Sequence, residues 1–149
     1  MGELDKFSCN DGEAVERALE VINEAGRFDA VLIAGDEPPN SRAFLREFAH
    51  RGAPTAKEMA KRFAQTNTPI HTFVVRDDPR TIKDFAELSS ISGGKSGRFD
   101  GSAEMIDMAV MAMLAAIKGS HAIKSYMQKH RLTSNGVEFG RLLLEGPKK

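Results

Sequence analysis

Two uninterrupted apolar segments constrain the fold of this chain more than any other feature of its sequence. Residues 28–35 read FDAVLIAG and residues 69–75 read PIHTFVV. Neither segment alternates apolar with polar residues, which is typical of strands buried on both faces, as in a parallel sheet. Each segment is followed by acidic and proline residues, at 36–39 and 77–79, where a strand cannot continue.

Helical segments separate these predicted strands. Apolar residues recur at helical spacing, and Thr55 with Glu58 forms the pattern of a capping box at one helix start. Strands that alternate with helices require crossover connections, so the sequence predicts an α/β fold in which the two apolar strands are parallel neighbours. Helices are predicted at residues 11–25, 41–50, 54–66 and 81–90 and from residue 102 onward, with a third, short strand at 97–99.

The chain after Gly119 has a different pattern. It contains one helical segment around Tyr126, a turn signal at 133–136 and a short apolar element at 137–144. We therefore divide the chain into a partial α/β domain, residues 1–118, and a C-terminal helical extension, residues 119–149.

Composition excludes several classes of protein. The 149 residues carry 21 basic and 21 acidic side chains, whereas a general nucleic-acid binder usually has a strong basic excess. The single cysteine, Cys9, permits no intrachain disulfide and fits a reducing compartment. The first residues lack the apolar run of a secretory signal, and the most apolar segment, 105–117, is too short to span a bilayer. These observations predict a cytoplasmic protein that binds neither nucleic acid nor membrane.

Acidic side chains follow the first predicted strand at the edge where parallel sheets usually bind ligands. Asp36 comes directly after this strand, and its carboxylate is a candidate ligand for a divalent cation or a cap for the following turn. Asn10, Asp11 and Glu13 stand at the start of the first helix, where helix capping explains them better than metal binding does. If a strand ends just before them, these two loops converge on one metal site.

Asp77 and Asp78 follow the second strand and reach the same edge. They can cap the next helix or join Asp36 around a divalent ion. The second alternative describes a small metal-dependent α/β hydrolase or phosphoryl-transfer enzyme, in which the three carboxylates converge on one cleft.

Two other groups of residues have structural explanations. His71 lies inside the second predicted strand and is expected to be a packed residue rather than a catalytic one. Four methionines, at 105, 108, 111 and 113, surround the helix that starts near residue 102, and we interpret them as core or interface residues.

The order of these segments resembles the second half of a von Willebrand factor A domain. The segments that carry the resemblance are CNDGEAVERAL, FDAVLIAGDEPPN, TPIHTFVV, FAELSSISGG and SAEMIDMAV, within residues 5–118. The turn at 36–39 matches an Asp-x-Pro-Pro turn found in some bacterial members. The resemblance implies a three-layer, Rossmann-like α/β fold with a mainly parallel sheet, which binds protein partners and often holds a metal at its carboxyl edge.

The family's metal site uses three loops, and two of them have counterparts here. The resemblance implies that Asp36 stands in the third loop and that Asn10 or Asp11 stands in the second. The first strand and its Asp-x-Ser-x-Ser loop are missing, and the near match at 100–104 lies too late in the chain. Oxygen ligands from only two loops would bind Mg²⁺ weakly, so the resemblance implies an incomplete, vestigial site.

These inferences together predict a non-enzymatic protein–protein interaction module of the von Willebrand A type. We also expect a homo-oligomer, most simply a two-fold dimer, because a truncated sheet leaves strand edges open and the tail has many apolar groups to bury. The alternative is that the tail folds back on its own chain. Those apolar tail residues are Ile123, Tyr126, Met127, Val137, Phe139, Leu142, Leu143 and Leu144.

Overall fold

The computed structural model describes residue 12, residues 14–98 and residues 102–146. Helices and strands alternate along most of this length, as the sequence predicts. The elements are α1 (Val15–Ala25), β1 (Val31–Gly35), α2 (Arg42–Phe48), α3 (Ala56–Gln65), β2 (Ile70–Val74), α4 (Pro79–Ser92), β3 (Ser96–Arg98), α5 (Ser102–Lys118), α6 (Ser120–Lys129) and α7 (Ser134–Leu144).

The three described strands form one parallel sheet in the order β1-β2-β3. Val31 lies opposite Ile70, and Gly35 lies opposite Val74. The prediction that the two apolar segments are adjacent parallel strands is therefore confirmed. Strand β2 is central and buried along its whole length, which explains why its sequence shows no alternation.

Side-chain caps set several helix starts. The Thr55 hydroxyl accepts a hydrogen bond from the Glu58 amide, and the Glu58 carboxylate accepts one from the Thr55 amide, so the predicted capping box is present. The turn predicted at 133–136 is wrong. Thr133 is the N-cap of α7 and accepts a hydrogen bond from the Gly136 amide, because capping residues and turn residues have the same composition.

Two glycines connect α4 to β3. Gly93 ends the helix with φ of 82°, a left-handed conformation that glycine adopts without strain. At Gly94 the chain passes so close to β2 that a Cβ atom would lie 1.9 Å from the carbonyl oxygen of Ile70. Only glycine fits there, and this close approach places β3 directly alongside β2.

Helices pack on both sides of the sheet, which gives three layers. One face of the sheet packs against α1, α3 and α4 through a core that includes Leu19, Met59, Ile70 and Phe85. The opposite face packs against α5, α6 and α7. The buried residues of this second core are Phe73, Met108, Met111, Ala112, Ile123 and Phe139.

The C-terminal tail folds back on its own chain. Ile123 and Phe139 are almost fully buried, and Tyr126, Met127 and Leu143 pack around them. The residues after 118 thus form one layer with α5, and the burial of their apolar groups does not require a second copy. No helix in the described part of the chain has the length and apolarity needed to cross a membrane.

Candidate functional site

The carboxyl ends of the three strands meet at one edge of the sheet. The register aligns Gly35 with Val74 and Val74 with Arg98. Residues that follow these positions therefore lie close together although they are far apart in the sequence. Ligands of parallel α/β proteins usually bind at this edge.

Asp36 forms an ion pair with Arg76. Its carboxylate oxygen Oδ2 lies 3.1 Å from Nε of Arg76, and its backbone carbonyl accepts a hydrogen bond of 3.2 Å from the Thr81 hydroxyl. The predicted metal ligand Asp36 is therefore paired with Arg76, a cation that lies just after the neighbouring strand β2.

The two other carboxylates of this edge have separate partners. Asp77 pairs with Arg98 at 2.5 Å, with both side chains mostly exposed. Asp78 is the N-cap of α4: its Oδ2 accepts hydrogen bonds from the Thr81 hydroxyl at 2.6 Å and from the Thr81 amide at 2.7 Å. The hydrogen bond from the Thr81 hydroxyl makes the largest contribution to lowering the pKa of Asp78, and the bond from the Thr81 amide adds to it.

The convergence of Asp36, Asp77 and Asp78 that the alternative of a metal-dependent enzyme requires is not observed. Within the described ranges, no group of three or more His, Cys, Asp or Glu side chains is placed to hold a metal ion. The reason is that each carboxylate is already satisfied by an arginine or by a helix start. The described residues therefore do not supply a Mg²⁺ ligand set. The predicted ligands Asn10 and Asp11, together with Glu13, lie outside the described residues.

Sequence reasoning missed one buried carboxylate near this edge, Glu16 in the first turn of α1. Its Oε1 accepts a hydrogen bond of 2.9 Å from the Asn40 side chain, and its Oε2 is buried with no hydrogen-bond partner. A helix N-terminus favours a carboxylate electrostatically, which partly compensates for the missing partner. The sequence feature that indicates its burial is its position beside Val15 and Leu19 on the buried side of α1.

A cavity of about 560 Å³ opens beside the ends of β2 and β3, between α4 and α7. Its walls combine apolar side chains with the Asp77–Arg98 ion pair, so its opposite charges largely cancel. Its described walls contain no histidine or cysteine, and thus no nucleophile–base pair of the usual kind. Its apolar walls include Val75, Ile82, Ala86, Phe139 and Leu142.

His71 is a packed residue, as predicted. Its Nδ1 accepts a hydrogen bond of 3.1 Å from the Lys95 amide, and its ring meets the Phe139 ring nearly edge-on, with centroids 6.2 Å apart. Burial, with a smaller contribution from the Lys95 charge, lowers the pKa of His71 to about 4. The imidazole is therefore uncharged at neutral pH.

One part of the sheet is left uncovered by the helices, and we call it the β1 face: Leu32, Ala34 and Val75. Side chains alternate along a strand, so the burial of Val31 and Ile33 against the first core directs Leu32 and Ala34 to the opposite side. There the second core covers Phe73 of β2 but not β1. Leu32 remains 37% exposed, Val75 41% exposed and Ala34 exposed. The expectation that both apolar strands are buried on both faces therefore holds for β2 and is wrong for β1.

Comparison with protein-family models, with curated proteins and with solved structures finds no match to this chain.

Proposed function

We propose that this chain is a protein-interaction module of the von Willebrand A type and not an enzyme, and that a protein partner docks on the β1 face. The observation that carries the proposal is the exposure of apolar Leu32, Ala34 and Val75 on a sheet face that helices cover elsewhere. Exposed apolar surface next to a polar rim is typical of protein-binding sites.

The edge of β1 adds polar groups to this surface. In a parallel strand, every second residue directs its backbone N–H and C=O groups to the same neighbouring strand. The carbonyl of Gly35 points to β2, since it accepts a hydrogen bond from the amide of Val75, which directly follows that strand. The backbone groups of Leu32 and Ala34 therefore point away from β2. Among the described strands, β1 pairs only with β2. An extended segment of a partner fits this edge by strand addition.

The proposal does not depend on a metal. Arg76 pairs with the carboxylate of Asp36, which supports an incomplete site. The other ligands that the resemblance implies, Asn10 and Asp11, lie outside the described residues. The open edge also supports self-association into a two-fold dimer, the commonest closed assembly. We assign the protein to the cytoplasm on its single cysteine.

Photo-crosslinking in cells tests the docking surface. A photoreactive amino acid replaces Ala34, and a second preparation carries it at Val21, which is 50% exposed on α1 and outside the β1 face. We expect a discrete adduct from position 34 only. Leu32→Glu should abolish this adduct because it places a charge in the apolar contact, and Val21→Glu should leave it unchanged. An adduct that survives Leu32→Glu contradicts the proposal, as does the absence of any adduct specific to position 34.

A further inference from the structure

Helix α5 has two apolar faces, and one of them packs into the second core of the described residues. The inner face packs into the second core through Met105, Met108, Met111, Ala112 and Ala115. The outer face carries four apolar residues, which we call the α5 seam: Ile106, Val110, Met113 and Ile117. Ile106 is 59% exposed, Met113 45% and Ile117 67%, and Val110 is half-buried.

The spacing of the α5 seam is that of a helix-pairing surface. Its residues are separated by four, three and four positions, which is the a/d pattern of a coiled coil. A helix that is apolar all round is normally buried on every side. The flanking positions on one side of the seam are Ala109 and Ala116, whose small side chains let a second helix approach closely.

We propose that the α5 seam binds the same seam of a second copy of this chain, with the two helices antiparallel about a two-fold axis. An axis that passes between positions 111 and 112 sets Ile106 opposite Ile117 and Val110 opposite Met113. Each seam residue then meets an apolar residue of the other copy, so the surface is complementary to itself.

Charge complementarity selects the antiparallel arrangement. Asp107 flanks the seam near the start of α5, where it accepts a hydrogen bond of 2.7 Å from the Tyr126 hydroxyl, and Lys118 lies exposed in the last turn. In an in-register parallel pair, Asp107 of one copy and Lys118 of the other would lie on opposite sides of the pair and about 16 Å apart along the axis, so these charges could not meet. The antiparallel pair instead brings Lys118 of one copy towards Asp107 of the other, and it also opposes the helix dipoles.

The size of the seam indicates a reversible dimer. Specific interfaces bury about 800 Å² on each partner, more than four side chains on one helix provide. We therefore expect association above about 10 μM rather than a permanent dimer. This inference goes beyond the proposed function, because it places self-association on α5 rather than on the open edge of β1, and it is independent of docking on the β1 face.

Sedimentation velocity between 1 and 300 μM tests the proposal. Wild-type protein should change reversibly from monomer to dimer, and Met113→Glu should weaken association at least tenfold because it places two carboxylates near the axis. Ile117→Glu should act in the same way, whereas Val21→Glu, at an apolar helix position of similar exposure outside the seam, should not. Thermal unfolding at 1 μM should be unchanged in the seam variants, since their side chains already face water in the monomer.

Two results overturn the inference in different ways. Wild-type protein that stays monomeric at 300 μM removes both self-association and the seam contact. A dimer that persists in Met113→Glu and Ile117→Glu keeps self-association but removes the seam as its interface.

Disulfide cross-linking reports the orientation of the two helices. In a Cys9→Ser background, Ile106→Cys combined with Ile117→Cys should form an inter-copy disulfide under oxidising conditions, because antiparallel helices set these two positions opposite each other. Ile117→Cys alone should form none, since the antiparallel pair separates its two copies by about 16 Å along the axis at a rise of 1.5 Å per residue. A disulfide from Ile117→Cys alone indicates parallel helices and contradicts the antiparallel arrangement.

Discussion

Acid should destabilise this fold through one buried side chain, His71. The imidazole is packed beneath Phe139 and its Nδ1 accepts a hydrogen bond from the Lys95 amide. Protonation of Nδ1 removes this acceptor and places a positive charge in the second core, next to Lys95. The folded protein therefore resists protonation of His71, and its pKa is lowered from 6.5 to about 4.

The lowered pKa sets the sign and size of the effect. Between the two pKa values the unfolded chain binds a proton that the folded chain does not, so stability is complete above pH 6.5 and is lost as the pH falls towards 4. The loss of unfolding free energy should be about 2 kcal/mol between pH 7.5 and pH 5, and about 3 kcal/mol at pH 4. Carboxylates with lowered pKa values, those of Glu58, Asp78 and Glu87, contribute to acid destabilisation only nearer pH 4.

Urea unfolding at pH 7.5, 6 and 5 measures this loss. His71→Asn is the informative variant because an amide oxygen can accept the Lys95 hydrogen bond but does not titrate. The variant loses some packing at every pH, and its stability should depend much less on pH than that of the wild type. His121→Asn, at an exposed position, should keep the wild-type dependence. Equal slopes for wild type and His71→Asn would refute the reasoning.

Two further predictions concern the carboxyl edge and the sheet. Mg²⁺ should bind weakly or not at all, because Arg76 pairs with Asp36 and the described residues supply no group of three ligands. Titration calorimetry measures this affinity. A micromolar dissociation constant that is lost in Asp36→Ala would contradict the prediction. Gly93→Ala should cost about 1 kcal/mol, the penalty of a left-handed alanine with free space around it. Gly94→Ala should cost clearly more, because its Cβ would overlap the Ile70 carbonyl, and equal urea midpoints for the two variants would show that the chain relaxes there.

The sequence alone determined the elements of this protein and the direction of its strands. Continuous apolar segments such as FDAVLIAG favour strands of a parallel sheet, and capping residues such as Thr55 act on neighbours three positions away. These signals are local, so they can be recognised without knowledge of the fold. The same composition rules misassigned residues 133–136, where a cap and a turn have the same residue types.

Only the tertiary structure decided how the side chains at the carboxyl edge pair. Asp36 and Arg76 are 40 positions apart, and the strand register that joins them is a property of the whole sheet. The same holds for burial, since a periodic apolar pattern shows which residues share a helix face but not which face meets the core. The inner face of α5 is buried by the second core and the seam is not, because α6 and α7 pack against only one side of that helix. Local sequence thus specifies the elements, while the long-range packing of the sheet and helices decides which charges are neutralised and which apolar surfaces remain available to a partner.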